Sequence, residues 1–349
     1  MKKILLIATV YRVGERIYPI IPSLSKLADI DVLFVNEMSN EMEWYGDKDP
    51  RNKFYSMYGE FITDKFYGHL NSNKQNFNDF DVSKYDLVLY DDNRNRYDLD
   101  VIYEKCKKNN IPVAGCTHGT VSRNFAKEFH GKVFDYMFVF GNNEYKLFSD
   151  FDEVFIKGGI PANDALKKYK RNDEYILVIV NYLGNRACPF PVKFDGNLIE
   201  KTGLIELQRE FNKKVLFKLK SRLDHPFPDK DITYLKSIVP SELEYEYMID
   251  CEGDDNSLIS DSFITISAPG TMSLKSIQKG IPTIMVKDSG QNDFFNNYKG
   301  LLPLDTQLIF DEIERQHNVG RDIDFISNVI TGGENYNSTE VFVNKLMEI

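Results

Sequence analysis

The feature that most constrains this chain is an alternation along its length. Short, continuous apolar runs are followed by segments with apolar residues at helical spacing. Lys3–Val10 (KILLIATV), Ile30–Val35, Tyr85–Tyr90 and Ile111–Ala114 carry too few polar residues to offer a solvated face. Such runs suit a sheet covered on both sides, which means parallel strands joined by crossover helices. Arg16–Leu27, Leu99–Asn109 and Asn143–Phe148 supply the helical spacing, and Tyr136–Phe140 and Glu153–Ile156 continue the strand series. The rhythm restarts at Tyr175–Val180. It runs on through Leu204–Phe211, Lys214–Lys220, Asp231–Ile238, Glu246–Ile249, Asp255–Ile259, Phe263–Ile266, Thr271–Lys279 and Thr283–Val286. The expected fold class is α/β, with two doubly wound parallel-sheet (Rossmann-like) domains facing a cleft.

A chain of 349 residues is too long for one ordinary core and divides naturally in two. The charged stretch Lys167–Glu174 places the boundary near residue 172, giving domains 1–172 and 173–349. Ser338–Met347 forms a last helix able to return to the first domain, and Asn163–Tyr169 reads as a helix just before the boundary. Residues 40–80, rich in Asn, Asp, Lys and Tyr, read as an insertion of mixed loops and helix.

Composition narrows the function classes. A net charge of −10 argues against broad contact with nucleic acid or an anionic membrane, both of which need clustered Lys and Arg. It leaves room for a small anionic ligand in a local positive pocket. Cys106, Cys116, Cys188 and Cys251 lie far apart with no CxxC pair, which suits a reducing compartment and neither a disulfide framework nor a zinc site. The opening MKKILLIATV runs straight into polar Tyr11-Arg12-Val13-Gly14-Glu15 without a small-residue cleavage site, so a buried first strand is expected in place of a signal peptide. No stretch has the apolar length of a membrane span. The expected location is cytoplasmic.

Four segments could carry chemistry. In Phe263–Val286 (FITISAPGTMSLKSIQKGIPTIMV) a buried strand ends in a small-residue turn, and a helix starts at Thr271. Free N–H groups and the dipole of that helix start, with the hydroxyls of Ser267, Thr271 and Ser273, make an anion site, and Gly270 lets a ligand approach the backbone. The same residues also suit an ordinary capped helix. His118 sits in the glycine-flanked loop of Pro112–Arg123, where a neutral imidazole could take a proton from a hydroxyl or simply bond a backbone carbonyl. Val215–Pro226 ends in Lys218, Lys220, Arg222 and His225, a positive cluster suited to a pyrophosphate or to plain solvent exposure. The first loop brings Arg12, Gly14 and Glu15 to a strand-to-helix turn. Asp91–Asn93 ends another strand, and Gln291, Asn292 and Asp293 could hydrogen-bond sugar hydroxyls. GxGxxG, P-loop, GxSxG and HExxH patterns are absent.

In order along the chain, TVYRVGERIYPIIPSL, IPVAGCTHGTVSRN, KGGIPANDAL and SAPGTMSLKSIQKGIPTIMV resemble segments of the GT-B superfamily, in particular its UDP-N-acetylglucosamine epimerases. Arg12 and Glu15 match that family's first-loop Arg and Glu. His118-Gly119 and Lys218–Pro226 are similar to the His-Gly pair and Lys-x-His-Pro-like strand end of GT-B transferases that build polyol-phosphate polymers, Kdo chains or polysialic acid. The chain departs from the epimerases twice. No glutamate follows the N-terminal histidine near His118, and Ser273-Leu274-Lys275-Ser276 stands where paired glutamates follow the glycine-rich turn.

The resemblance implies a glycosyltransferase that moves a sugar from a nucleotide-activated donor to a hydroxyl acceptor. His118 would be the general base. Ser267, Gly270, Thr271, Ser273, Lys218, Arg222 and His225 would hold the donor phosphates, and Arg12, Gly14, Glu15, Gln291 and Asp293 would contact sugar or nucleotide. No metal and no cofactor beyond the donor is expected, and residues 40–80 would set the choice of acceptor. Two alternatives stand beside it. One is a non-hydrolysing epimerase using Glu15, Asp91, Asp92 and His118, and the other is a nucleotide-sugar binding protein without catalysis.

Overall fold

The computed structural model describes residues 1–9, 14–35, 50–68, 77, 79–92, 100–117, 134–148, 154–180, 196–219, 228–249, 254–286, 293–331 and 337–349. The chain divides into two compact units, Met1–Asp164 with Ser327–Ile349, and Ala165–Ile326.

In the first unit seven strands form one sheet: β1 (Lys2–Ala8), β2 (Ala28–Val35), β3 (Lys65–Gly68), β4 (Leu87–Tyr90), β5 (Val113–Cys116), β6 (Tyr136–Val139) and β7 (Val154–Lys157). Their order is β3-β2-β1-β4-β5-β6-β7 and every pairing is parallel. Alternate residues of one strand feed opposite faces. Ile4, Leu6 and Ala8 join one apolar cluster, and Leu5 and Ile7 join the other. That is why the first run had no polar face to show.

The second unit holds β8 (Tyr175–Val180), β9 (Lys214–Leu219), β10 (Tyr245–Ile249), β11 (Ser262–Ser267), β12 (Thr283–Val286) and β13 (Leu301–Leu302). Again all pairings are parallel, in the order β10-β9-β8-β11-β12-β13. Counted from its own first strand, this sheet repeats the order of the first. In each, the strand order reverses beside the opening strand, between β1 and β4 and between β8 and β11. Such reversal points open a crevice at the carboxyl ends of the strands.

The helices are α1 (Ile21–Leu24), α2 (Pro50–Tyr58), α3 (Asp100–Lys108), α4 (Asn142–Leu147), α5 (Gly196–Lys201), α6 (Leu204–Phe211), α7 (Pro228–Ile238), α8 (Asp255–Ser260), α9 (Thr271–Lys279), α10 (Thr306–Val319), α11 (Ile323–Val329) and α12 (Ser338–Glu348). The continuous helix expected over Arg16–Leu27 is instead a 3-10 turn (Tyr18–Ile20) followed by α1. Pro19 and Pro22 lack the N–H a longer helix would need. Asn163–Tyr169 also departs from expectation, forming a 3-10 segment over Pro161–Lys168.

The chain leaves the first unit after Asp164, earlier than the boundary expected at 172. Local bonding explains the difference. Ala162 N donates to Arg16 O at 2.9 Å, and the Asp164 carboxylate accepts from Ser338 N and Thr339 N at 3.0 and 2.6 Å. Beyond it, Asn172 N and Glu174 N donate to Ser260 O and Asp261 O of the second unit. Asp164 thereby caps α12, whose Phe342 stacks on Phe138 with ring centroids 4.0 Å apart inside the first core.

Candidate functional site

The first unit fills its reversal point with its own side chains. Thr9 follows β1 and Asp91 follows β4, so the parallel register sets them side by side. Thr9 N donates to both Asp91 carboxylate oxygens at 3.1 and 3.0 Å, and Thr9 Oγ1 donates to Oδ1 at 2.6 Å. Tyr18 OH donates to Oδ2 at 2.7 Å. Burial nonetheless outweighs these donors and, aided by neighbouring Asp92, raises the Asp91 carboxyl to about 7.

Along the same strand ends lies a second buried carboxyl. Glu144, in the first turn of α4, accepts from Phe140 N at 2.6 Å and from Thr117 Oγ1 at 3.3 Å, while its Oε1 has no hydrogen-bond partner among the described residues. Burial pushes it up to about 8 despite those bonds and the pull of Arg16. The Arg16 guanidinium lies 5.7 Å from the Phe140 ring centroid. Burial lowers its pKa, and the charges of Asp92 and Glu144 oppose that shift. Arg16, Thr9, Tyr18, Thr117 and Glu144 were not among the residues expected from sequence. Thr9 and Thr117 directly follow strands, a positional signal the sequence offered, whereas Arg16, Tyr18 and Glu144 lie farther along the segments after β1 and β6.

In the second unit the corresponding place is built differently. β11 ends at Ser267, the turn Ala268-Pro269-Gly270 follows, and α9 begins at Thr271. The N-cap is Gly270, which brings no side-chain acceptor to the first turn. Its φ of −178° is extended backbone open to any residue, and an added Cβ would meet only Ala268 O, at 3.9 Å. Neither packing nor backbone geometry demands glycine there. Ser267 and Ser273 hydroxyls bond each other at 2.6 Å, and Ser273 Oγ donates to Ala268 O at 3.0 Å. These two serines brace the turn. Outward-facing donors are left to the backbone of the first turn and to the partly exposed Thr271.

Other expected residues fall as follows. Lys218, at the end of β9, is buried, and its Nζ pairs with Asp255 Oδ1 at 3.1 Å at the start of α8. Glu15 pairs with Lys53 of α2 at 2.8 Å on the surface. Gly14 lies beneath Tyr18, where a Cβ would overlap the ring, so the fold itself requires glycine at this position. Asp293 opens the 3-10 turn Asp293–Phe295. Arg12, His118, Arg222, His225 and Gln291 lie outside the described residues. Among the described residues no His/Cys/Asp/Glu group is arranged to hold a metal ion, and no helix is long and apolar enough to cross a membrane.

No protein-family model matches the sequence, and no curated protein matches it. Solved structures do. UDP-GlcNAc 2-epimerase from Neisseria meningitidis bound to UDP-GlcNAc superposes with a TM-score of 0.62 at 14% identity, over 99% of this chain and 100% of that one. The S. aureus MnaA–UDP co-structure gives 0.64 at 13% identity, over 99% and 96%. A glycosyltransferase from Rickettsia africae ESF-5 gives 0.58 at 14% identity, over 99% and 97%. This chain has the GT-B fold. At such identities the likeness extends to architecture, and the GT-B frame accounts for the repeated strand order in the two units.

Proposed function

We propose that this GT-B chain is a glycosyltransferase that uses a nucleotide-activated sugar, with the donor diphosphate seated at the start of α9. The observation that carries the reading is that start. It is a helix of nine residues opening at a strand-order reversal, with glycine as N-cap and a turn braced by Ser267 and Ser273. Oriented N–H groups and the helix dipole favour a phosphate there by about 1 kcal/mol or more in partly buried settings. UDP and UDP-GlcNAc, bound by the MnaA and Neisseria proteins, guide the choice of ligands to try.

In this reading Thr271 and the backbone of the first turn hold the phosphates, while Arg222 and His225 add positive charge. Lys218, expected to join them, is instead buried and paired with Asp255. His118 takes the acceptor proton as the acceptor oxygen bonds to the anomeric carbon and the bond to the nucleotide phosphate breaks. Direct displacement of this kind inverts the anomeric centre. The epimerase alternative gains no advantage from Asp91, whose oxygens are held by Thr9 and Tyr18.

The test is thermal stability against UDP, CMP, CDP, GDP, dTDP and their sugar conjugates, since a ligand of the folded state raises apparent stability by mass action. A shift with one nucleotide, diminished in Thr271→Ala, is the expected result. Product analysis with and without added glycan acceptors then separates transfer from acceptor-free sugar conversion. Absence of any shift refutes the nucleotide-sugar reading.

A further inference from the structure

The far end of α9 is tied to the chain that joins the two units. Lys279, its last residue, donates from Nζ to Leu166 O at 2.9 Å and also to Tyr169 O. Arg171 Nη1 donates to Gly280 O at 3.2 Å. Gly280 ends the helix in the left-handed region, at φ +83°, and the aliphatic part of Arg321 lies against it. Leu166, Tyr169 and Arg171 are among the first residues past the division at Asp164, and Arg321 lies just before the return at Ser327. One helix end thus gathers both segments by which the chain passes between its units.

The bonding is asymmetric in a useful way. Three carbonyl groups, of Leu166, Tyr169 and Gly280, are held by side chains from elsewhere, and two of the three converge on one ammonium. Both bonds of the Lys279 ammonium, to Leu166 O within the 3-10 segment and to Tyr169 O just beyond it, depend on the spacing between that segment and the end of α9. α9 is about 13 Å long at 1.5 Å per residue, short and stiff enough to carry a shift from one end to the other.

We propose that Lys279 couples ligand occupancy at the N-terminus of α9 to the order of the joining segment 165–171. The inference rests on the assignment of that N-terminus as the phosphate site and adds a role for its opposite end. An anion at the first turn fixes the position of α9. The fixed helix holds Lys279 in register with Leu166 O and Tyr169 O, and the joining segment becomes harder to open. By reciprocity, an ordered segment improves binding at the first turn.

The experiment is amide hydrogen exchange of peptides covering residues 161–171, with and without saturating UDP. It is run on the full chain and on Lys279→Met, Lys279→Arg and Arg171→Ala. Saturating UDP is expected to slow exchange in that segment by about threefold or more in the unaltered chain. Lys279→Met keeps the aliphatic stem and loses the donors. It should still bind UDP, with the slowing abolished, while Lys279→Arg restores it. Arg171→Ala, on the exposed side of the same junction, should weaken the effect even if Lys279→Met folds poorly. Binding without slowing in the unaltered chain, or slowing that survives in Lys279→Met, overturns the coupling. No binding of UDP or any other nucleotide by the unaltered chain overturns the phosphate site itself, and the coupling with it.

Discussion

Asp91 sets two effects against each other. Three donors favour its ionised form, and complete burial disfavours it; burial wins and holds the carboxyl at about 7, against 3.8 for a free aspartate. The unfolded chain releases this proton near pH 3.8, and the folded chain keeps it until about 7. The contribution of Asp91 to stability is therefore complete below pH 3.8 and declines as pH rises through 7. At 1.36 kcal/mol per pKa unit the full swing is on the order of 4 kcal/mol, and the part falling between pH 5 and 8 is about 2–3 kcal/mol. In the Asp91→Asn variant the new amide can accept from Thr9 with its oxygen and donate to Tyr18 with its nitrogen, and it does not titrate.

The variant should therefore gain stability relative to the unaltered chain by about 2–3 kcal/mol as pH rises from 5 to 8. Urea unfolding of both proteins at pH 5, 6, 7 and 8 measures it, and taking the difference removes the pH dependence they share, including that of Glu144. Parallel profiles over this range would show that Asp91 is already ionised in the folded chain at pH 5, meaning that the three donors outweigh burial, and would refute the reasoning.

Packing and pairing dictate four other outcomes. Gly14→Ala should destabilise the first unit by about 2 kcal/mol or more, read as a lowered urea midpoint, because its Cβ would run into the Tyr18 ring. Gly270→Ala should instead leave the melting temperature nearly unchanged while weakening nucleotide binding about tenfold, as read by calorimetry. Phe342→Ala should cost about 3–5 kcal/mol through the cavity left against Phe138, detected by urea unfolding. Asp255→Asn should cost about 1–2 kcal/mol in the same assay, because it removes the charge that faces the buried Lys218 ammonium from a side chain 40% exposed; Lys218→Met in the same background should recover part of that loss.

The strands of the two sheets were legible wherever a long apolar run stood alone. Tyr175–Val180 and Thr283–Val286 appear with the expected bounds, as does the helix Thr271–Lys279. The missed elements are those whose order comes from tertiary context. β3 has four residues, Lys65-Phe66-Tyr67-Gly68, inside a polar stretch, and gains its strand character by pairing with β2. β13 has two residues, held beside β12. α10 is the plainest omission, because its signals were present: Asp305 accepts from Leu308 N as N-cap, Ile309 and Ile313 share one buried face, and Gly320 closes the helix. Its buried stripe also contains Glu312 and Gln316, and those polar residues blurred the apolar period. Gln316 is buried because its amide bonds both N and O of Thr283, a pairing no sequence period reveals.

The two units share one strand order yet use the reversal point in opposite ways, and the residues explain the difference. In the first unit the strand ends carry Thr9 and Asp91, which bond each other across β1 and β4, and Thr117, whose hydroxyl reaches Glu144 of α4. Once Asp91 has taken Thr9 and Tyr18, its oxygens have little left to offer a ligand. In the second unit β11 ends in residues too short to reach across. Among the described residues Ser267 bonds Ser273, and Pro269 and Gly270 bring no donor side chain. The first turn of α9 then has no acceptor from its own N-cap. Strand order reverses in both units, but the side chains differ. Among the described residues the first unit sets the buried carboxyls Asp91 and Glu144 beside its strand ends. The second sets a helix start whose N-cap supplies no acceptor, the kind of place where the backbone N–H groups of a first turn suit an anion.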